Sequence, residues 1–325
     1  MAVATAETPR RRRLLGVRRT LAPVAQAHGL ARVMLWVGAG ITLFFIVLAI
    51  FAPWIAPYRF DQFEANGKRF AQLQHPSSQH LMGTTVQSTD VLSRVIWGAR
   101  TELEVVLLAL VLGLIVGVPL GVISGYFAGP LDRCLVLIMD ALFAFPYLLL
   151  AIVIAFLLGG QGVTNAAIAI TVVYIPQYFR VVRNHVISVR EEPYVEAARA
   201  LGAKPFTIMR KYVFFNVVQN VPVIGTLNAA DAILTLAALG FLGYGIQPTA
   251  GAEWGYDISR AISDASSGIW WTGLYPGLAI VLLVTGLTLL GEGLNETINP
   301  VLRSRRVESP ELGTPTSIVE TEVDI

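Results

Sequence analysis

From Val33 to Tyr58 the chain carries no charged side chain, and about twenty helical residues are enough to cross the roughly 30 Å hydrocarbon core of a bilayer. This run predicts a first membrane span, closed by Pro53 and Pro57 with Trp54 and Tyr58 as interfacial aromatics. The sequence is again uncharged between Glu104 and Asp132, giving a second span from Val105 to about Phe127. Within it Gly113, Gly117, Gly121 and Gly125 recur on one helical face, where a neighbouring helix can approach closely. After Asp140 no charge appears until beyond Phe179, nearly twice a membrane thickness as one helix, and Gly159, Gly160 and Gly162 divide the stretch. That predicts span three from about Leu135 to Leu158, and span four from about Ala166 to Phe179 or slightly beyond, kinked near Pro176.

The segment from Tyr212 to Ala252 holds one charge, Asp231, and its pattern admits either one span, whole or broken, or two short ones. A final span runs from about Trp270 to Leu290, with Trp270 and Trp271 at its edge. Charge asymmetry selects among topologies. With one span at 212–252 the total is six, the termini share a side, and eighteen basic residues lie on that side against six on the other. The majority side carries Arg10 to Arg13, Arg180, Arg183, Arg190, Arg199, Lys204, Arg210, Lys211 and Arg303; the minority side carries Arg59, Lys68, Arg69, Arg94, Arg100 and Arg260. Cytoplasmic loops concentrate Lys and Arg, so both termini are expected in the cytoplasm. A seventh span would strand the basic end after Pro300 outside. The predicted fold class is an all-α membrane protein with six transmembrane helices.

Composition agrees: 54% of residues are hydrophobic and only 14% charged, against about 25% charged in soluble domains. Cys134 is the sole cysteine, which excludes an intrachain disulfide and a thiolate metal cluster. The arginine-rich start precedes an apolar run too long for a signal-peptide core, so a retained first helix is expected. The ends, 1–32 and 304–325, are polar and aperiodic and are expected to be flexible tails.

The cytoplasmic loop from Glu191 to Asn216 is the most informative polar segment. Pro193 suits a first helical turn, Ala197, Ala198 and Ala200 are strong helix formers, and Gly202 ends that helix by taking the left-handed conformation cheaply. Pro205 opens a second helix with Phe206, Met209 and Tyr212 at helical spacing. Such a unit can be a plain connector. It also mimics a DNA-binding helix-turn-helix, but a recognition helix tethered between two spans has poor access to a major groove, and no nucleic-acid partner is expected.

Glu196-Ala197-Ala198, three residues and then Gly202 resembles the EAA loop in the permease subunits of binding-protein-dependent ABC importers. In that family the loop docks in a groove of the ATPase, and Glu196 would offer a charge-assisted partner to a basic residue there. Phe215 stands where the family motif usually has a proline. The segments His80-Leu81-Met82-Gly83-Thr84, Asp90-Val91-Leu92-Ser93-Arg94 and Gly98-Ala99-Arg100 resemble the N-terminal signature of dipeptide/oligopeptide permease C subunits. Ala144-Phe145-Pro146, the run from Phe241 to Pro248 and Pro276-Gly277-Leu278-Ala279 are similar to the same family. Its usual GTD and GRD pieces are here Gly83-Thr84-Thr85 and Ser88-Thr89-Asp90, and Leu236 replaces an acid often found late in span five. The resemblance implies a type I ABC importer permease fold. The expected division is a basic tail (1–32), a first helix with an extracytoplasmic segment (33–101), a five-helix core (102–303) and a polar tail (304–325). It also implies a second homologous permease, two ATP-binding subunits, an extracytoplasmic solute-binding protein, lipid surroundings and no cofactor in this chain. Di- or oligopeptides lead the expected substrates, followed by nickel complexes, glycosides or haem.

No G-x-x-x-x-G-K-S/T phosphate loop occurs, so ATP hydrolysis is expected in another chain. His28, His75, His80 and His185 form no H-E-x-x-H motif, and no histidine follows Ser124 after His185 to serve a serine nucleophile. Asp140 and Asp231 lie in or near spans, where a carboxylate is costly and usually faces a bundle interior or a wet cavity, which makes both candidates for a translocation pathway. A proton-coupled secondary transporter is the alternative use of such residues; a local ion pair with Arg133 is the structural alternative for Asp140.

Overall fold

A computed structural model describes residues 30–159 and 162–298; Gly160, the expected tail 304–325 and residues 1–29 of the expected tail 1–32 lie outside the described residues, and the first helix begins at Leu30, within that expected tail. Helix α1, Leu30–Ile55, is the first span. A two-residue hairpin follows, β1 (Glu64–Ala65) paired antiparallel with β2 (Lys68–Arg69). Its turn residues Asn66 and Gly67 both have positive φ, as the tight primed hairpin turn requires. Helix α2, Val91–Phe127, contains 37 residues, about 55 Å at 1.5 Å per residue, and so outruns the bilayer core. It begins well before the expected Val105, because Asp90 caps it through Ser93 N–H and because Arg94 and Glu102 are buried against protein.

The expected straight third span is broken. Helices α3 (Gly129–Phe143) and α4 (Tyr147–Leu157) meet at 93° around Ala144–Pro146. Pro146 has no N–H to continue the ladder and its ring clashes with the preceding turn, so the helix stops and restarts there. Helix α5, Val163–Arg190, instead runs unbroken through Pro176 and past Phe179, carrying Arg180, Arg183 and Arg190. Then come α6 (Pro193–Ala200), α7 (Pro205–Ile208), a π-helical turn (Met209–Val213), α8 (Phe214–Val217) and a 3₁₀ turn (Val218–Asn220). Helix α9, Val221–Phe241, is a single span, resolving the 212–252 segment. Helix α10, Trp254–Ala265, was not anticipated; α11, Trp271–Ile298, is the last span. Among the described residues five helices are long and apolar enough to cross a membrane, and the bent pair, taken as one span, makes a sixth.

The glycine face of α2 packs on α5. A side chain at Gly113 or Gly117 would strike Tyr178, one at Gly121 would meet Phe179 O at 2.8 Å, and one at Gly125 would meet Arg183 O at 2.8 Å. These distances leave backbone nearly on backbone, the condition under which small residues drive helix association in lipid. Similarly, Gly38 of α1 lies against the backbone of Gly286 and Leu290 on α11.

Candidate functional site

The loop from 191 to 216 is held to the helical body by its apolar side. Val195, Ala198 and Ile208 are buried, and Val195 and Ile208 join Val118, Val122, Val182 and Val186 in one cluster at the ends of α2 and α5. Helix α6 ends in a Schellman motif: Ala203 N–H donates to Ala198 O and Gly202 N–H to Arg199 O, both at 3.0 Å. Gly202 takes φ +81°, as expected of that turn. The opposite side is bare. Glu196 and Ala197 face outward, with Leu201 88% and Phe206 69% exposed beside them. Leu201 was not singled out in the sequence, because a lone leucine ending a helix gives no periodic signal.

The break at Pro146 opens a cavity of about 450 Å³ between the α3–α4 bend, α5 and α9. Phe143, Phe145, Tyr147, Tyr174, Gln177 and Asp231 contribute to its wall. Tyr174 is fixed by a 3.0 Å hydrogen bond to Thr235 Oγ1, and that hydroxyl donates to Asp231 O at 2.9 Å. The other sequence candidate, Asp140, does not line the cavity. It pairs with Arg180 at 2.9 Å rather than with Arg133, because α5 continues far enough to bring Arg180 alongside α3. The same guanidinium lies 4.3 Å from the centroid of Phe143.

At the opposite end of α2 the sequence signature becomes a buried polar network. Asp90 caps α2 and its other oxygen lies 2.8 Å from His80 Nδ1. Thus the aspartate that survives in Ser88-Thr89-Asp90 is a structural cap, while Thr85 Oγ1 accepts from the N–H groups of Gln87 and Thr89. Arg94 forms a buried ion pair with Asp257 of α10, its Nε donating at 2.9 and 3.0 Å. Burial pushes the Asp257 carboxyl up and Arg94 pulls it back. Glu253 caps α10, accepting from Gly255 N–H at 2.7 Å and Tyr256 N–H at 2.6 Å. Burial pushes it up to about 8 against those two bonds. Its neighbour Glu102 accepts weakly from Trp254 N–H at 3.4 Å, and Glu102 Oε2 finds no donor among the described residues. Among the described residues no group of three or more His, Cys, Asp or Glu side chains is placed to hold a metal ion.

Six apolar crossings, one of them bent over a largely apolar cavity that holds a single carboxylate, define a multi-pass membrane permease. Residues 117–304 match the family described as the binding-protein-dependent transport system inner membrane component, and residues 31–76 match the N-terminal transmembrane domain of oligopeptide transport permease C. The chain belongs to this family of ABC importer permeases, in its dipeptide/oligopeptide C-subunit branch. It is 38% identical over 268 residues to the dipeptide transport system permease protein DppC of Alkalihalophilus pseudofirmus, covering 82% of this chain and 86% of that one. It is 36% identical over 262 residues to the glutathione transport system permease protein GsiD of Escherichia coli O6:K15:H31, covering 79% and 83%. A chain of the inward-facing MetNI methionine ABC transporter superposes with a TM-score of 0.52 at 20% identity, covering 63% of this chain and 96% of that one, which supports the fold.

Proposed function

We propose that this chain forms half of the translocation pathway of an importer for di- or oligopeptides or related small solutes, and is driven by ATPase subunits docked on residues 191–216. A second homologous permease supplies the other half, an extracytoplasmic binding protein delivers the solute, and both termini lie in the cytoplasm. This chain carries no ATPase chemistry of its own; hydrolysis belongs to the docked subunits. The observation that carries the reading is the two-sidedness of the loop: Val195, Ala198 and Ile208 anchor it, while Glu196, Leu201 and Phe206 project outward. An exposed apolar pair, Leu201 and Phe206, set among charges that include Glu196 suits an interface better than a solvated connector.

The test is Glu196→Lys. Replacing attraction by like-charge repulsion at a desolvated contact costs several kcal/mol, so co-purification of the ATPase subunits and substrate-stimulated ATP hydrolysis should both fall, with membrane insertion unchanged. Lys204→Ala, an exposed charge beyond the turn, should be mild. Normal transport by Glu196→Lys with its ATPases bound would reduce the loop to a connector. Uptake that follows a proton gradient without any ATPase would favour the secondary-transporter alternative instead.

A further inference from the structure

The cavity at the Pro146 bend combines two features that point to one ligand chemistry. Four of its wall residues, Phe143, Phe145, Tyr147 and Tyr174, present aromatic rings, and Asp231 is its single charged group. The nearest basic residue along α5, Arg180, is engaged with Asp140 and Phe143. Among the described residues no cation pairs with the Asp231 carboxylate, and the hydroxyl nearest to it along α9, that of Thr235, donates to its main-chain carbonyl instead. A carboxylate halfway along a membrane span is costly unless something positive meets it. Aromatic faces attract cations through their quadrupole, most strongly where water is scarce.

We infer that this cavity is a subsite for an organic cation, the ammonium group of the solute in transit, with Asp231 as its counter-charge and the four rings as its walls. The volume, about 450 Å³, lies in the range of small-ligand pockets, roughly 300–1,000 Å³. Gln177, the remaining polar side chain on the wall, offers both a donor and an acceptor to the part of the solute beyond its ammonium group. The identity of the cation as transported solute rests on the permease reading; the preference of the cavity for positive charge does not.

The preference can be measured without knowing the substrate. In a Cys134→Ser background, which removes the exposed native thiol, Gln177→Cys places a single reporter on the cavity wall. Membranes containing the chain are treated with a trimethylammonium-bearing and a sulfonate-bearing methanethiosulfonate, and the ratio of the two modification rates is normalised to that of a small thiol in solution. The normalised ratio should favour the cation by roughly tenfold, the local enrichment a charged cleft produces. Asp231→Asn should remove most of that preference and Asp231→Glu should keep it. A reporter that neither reagent reaches, equal normalised rates, or a ratio indifferent to Asp231→Asn would each overturn the subsite. Because the readout needs neither ATPase nor binding protein, a failed subsite stays distinguishable from a failed assignment of the coupling loop.

Discussion

Glu253 shows how one side chain can serve two elements. It caps α10 through Gly255 and Tyr256 and sits beside Glu102 of α2; burial and then the nearby Asp257 favour its neutral form, against the two capping N–H groups and Glu102. Its folded-state value, about 8, exceeds the ordinary carboxyl value, so the folded chain holds a proton that the unfolded chain releases. Stability from this group is therefore full at acid pH and is lost as pH rises towards about 8. The upward push on Asp257 acts in the same direction. Melting of the detergent-purified chain should show a transition temperature that falls between about pH 5 and about pH 8, and Glu253→Gln, which stays neutral and keeps one acceptor oxygen for one of the two N–H groups, should flatten that slope while lowering the transition temperature at every pH. An equally steep slope in Glu253→Gln would locate the proton elsewhere. None of this was legible in the sequence, because Glu102 and Glu253 are 151 positions apart and neither belongs to a periodic pattern. Asp90 and Arg94 were visible only as a family signature; their roles as helix cap and ion-pair partner depend on where α10 packs.

At the scale of elements, the turn between α6 and α7 is the clearest case of local sequence deciding geometry. Gly202 has open space around the position of a side chain, so crowding is not what excludes one; its φ of +81° is. Gly202→Val should force that residue out of the left-handed region at a cost of about 1–3 kcal/mol, redirect α7, and displace Ile208 from its cluster. The expected result is loss of transport with normal membrane levels and faster proteolysis within 200–208; undiminished transport would show that the turn tolerates another path. The glycine face of α2 was equally legible, since spacing alone marks a close approach, and the structure adds that the neighbour is α5. The bend at Pro146 was not. A proline within an apolar run reads as a kink, and whether a kink becomes a 93° break depends on what lies behind it, here a cavity bounded by α5 and α9. Helix α10 was missed because twelve amphipathic residues between two spans resemble a loop when only hydropathy is followed.

For the whole molecule, six spans and the skewed distribution of arginine and lysine make one statement about topology. Reporters fused after Arg303 and within 72–79 should report opposite sides of the membrane, and finding both on one side would break the six-span arrangement. Arg94, counted among the outside charges, is buried against Asp257 and acts as a packing element. Long apolar runs were readable because a bilayer imposes a length, whereas the cavity and the buried network were not, because they are made where distant helices meet.

The interrupted third span has a consequence for how a cell must handle this chain. Where α3 stops and α4 restarts the helical ladder is interrupted, Ala144 N–H donating back to Asp140 O and Leu150 N–H to Pro146 O on either side, and Asp231 stands beside the break; acyl chains cannot solvate that carboxylate. A homologous subunit seated over that opening would shield it, so a copy made in excess of its partner is an orphan that quality-control proteases can recognise. In a pulse-chase, the chain should decay several-fold faster when the second permease is deleted, and gene dosage of the two should be matched. An unchanged half-life would mean that the opening is covered from within this polypeptide.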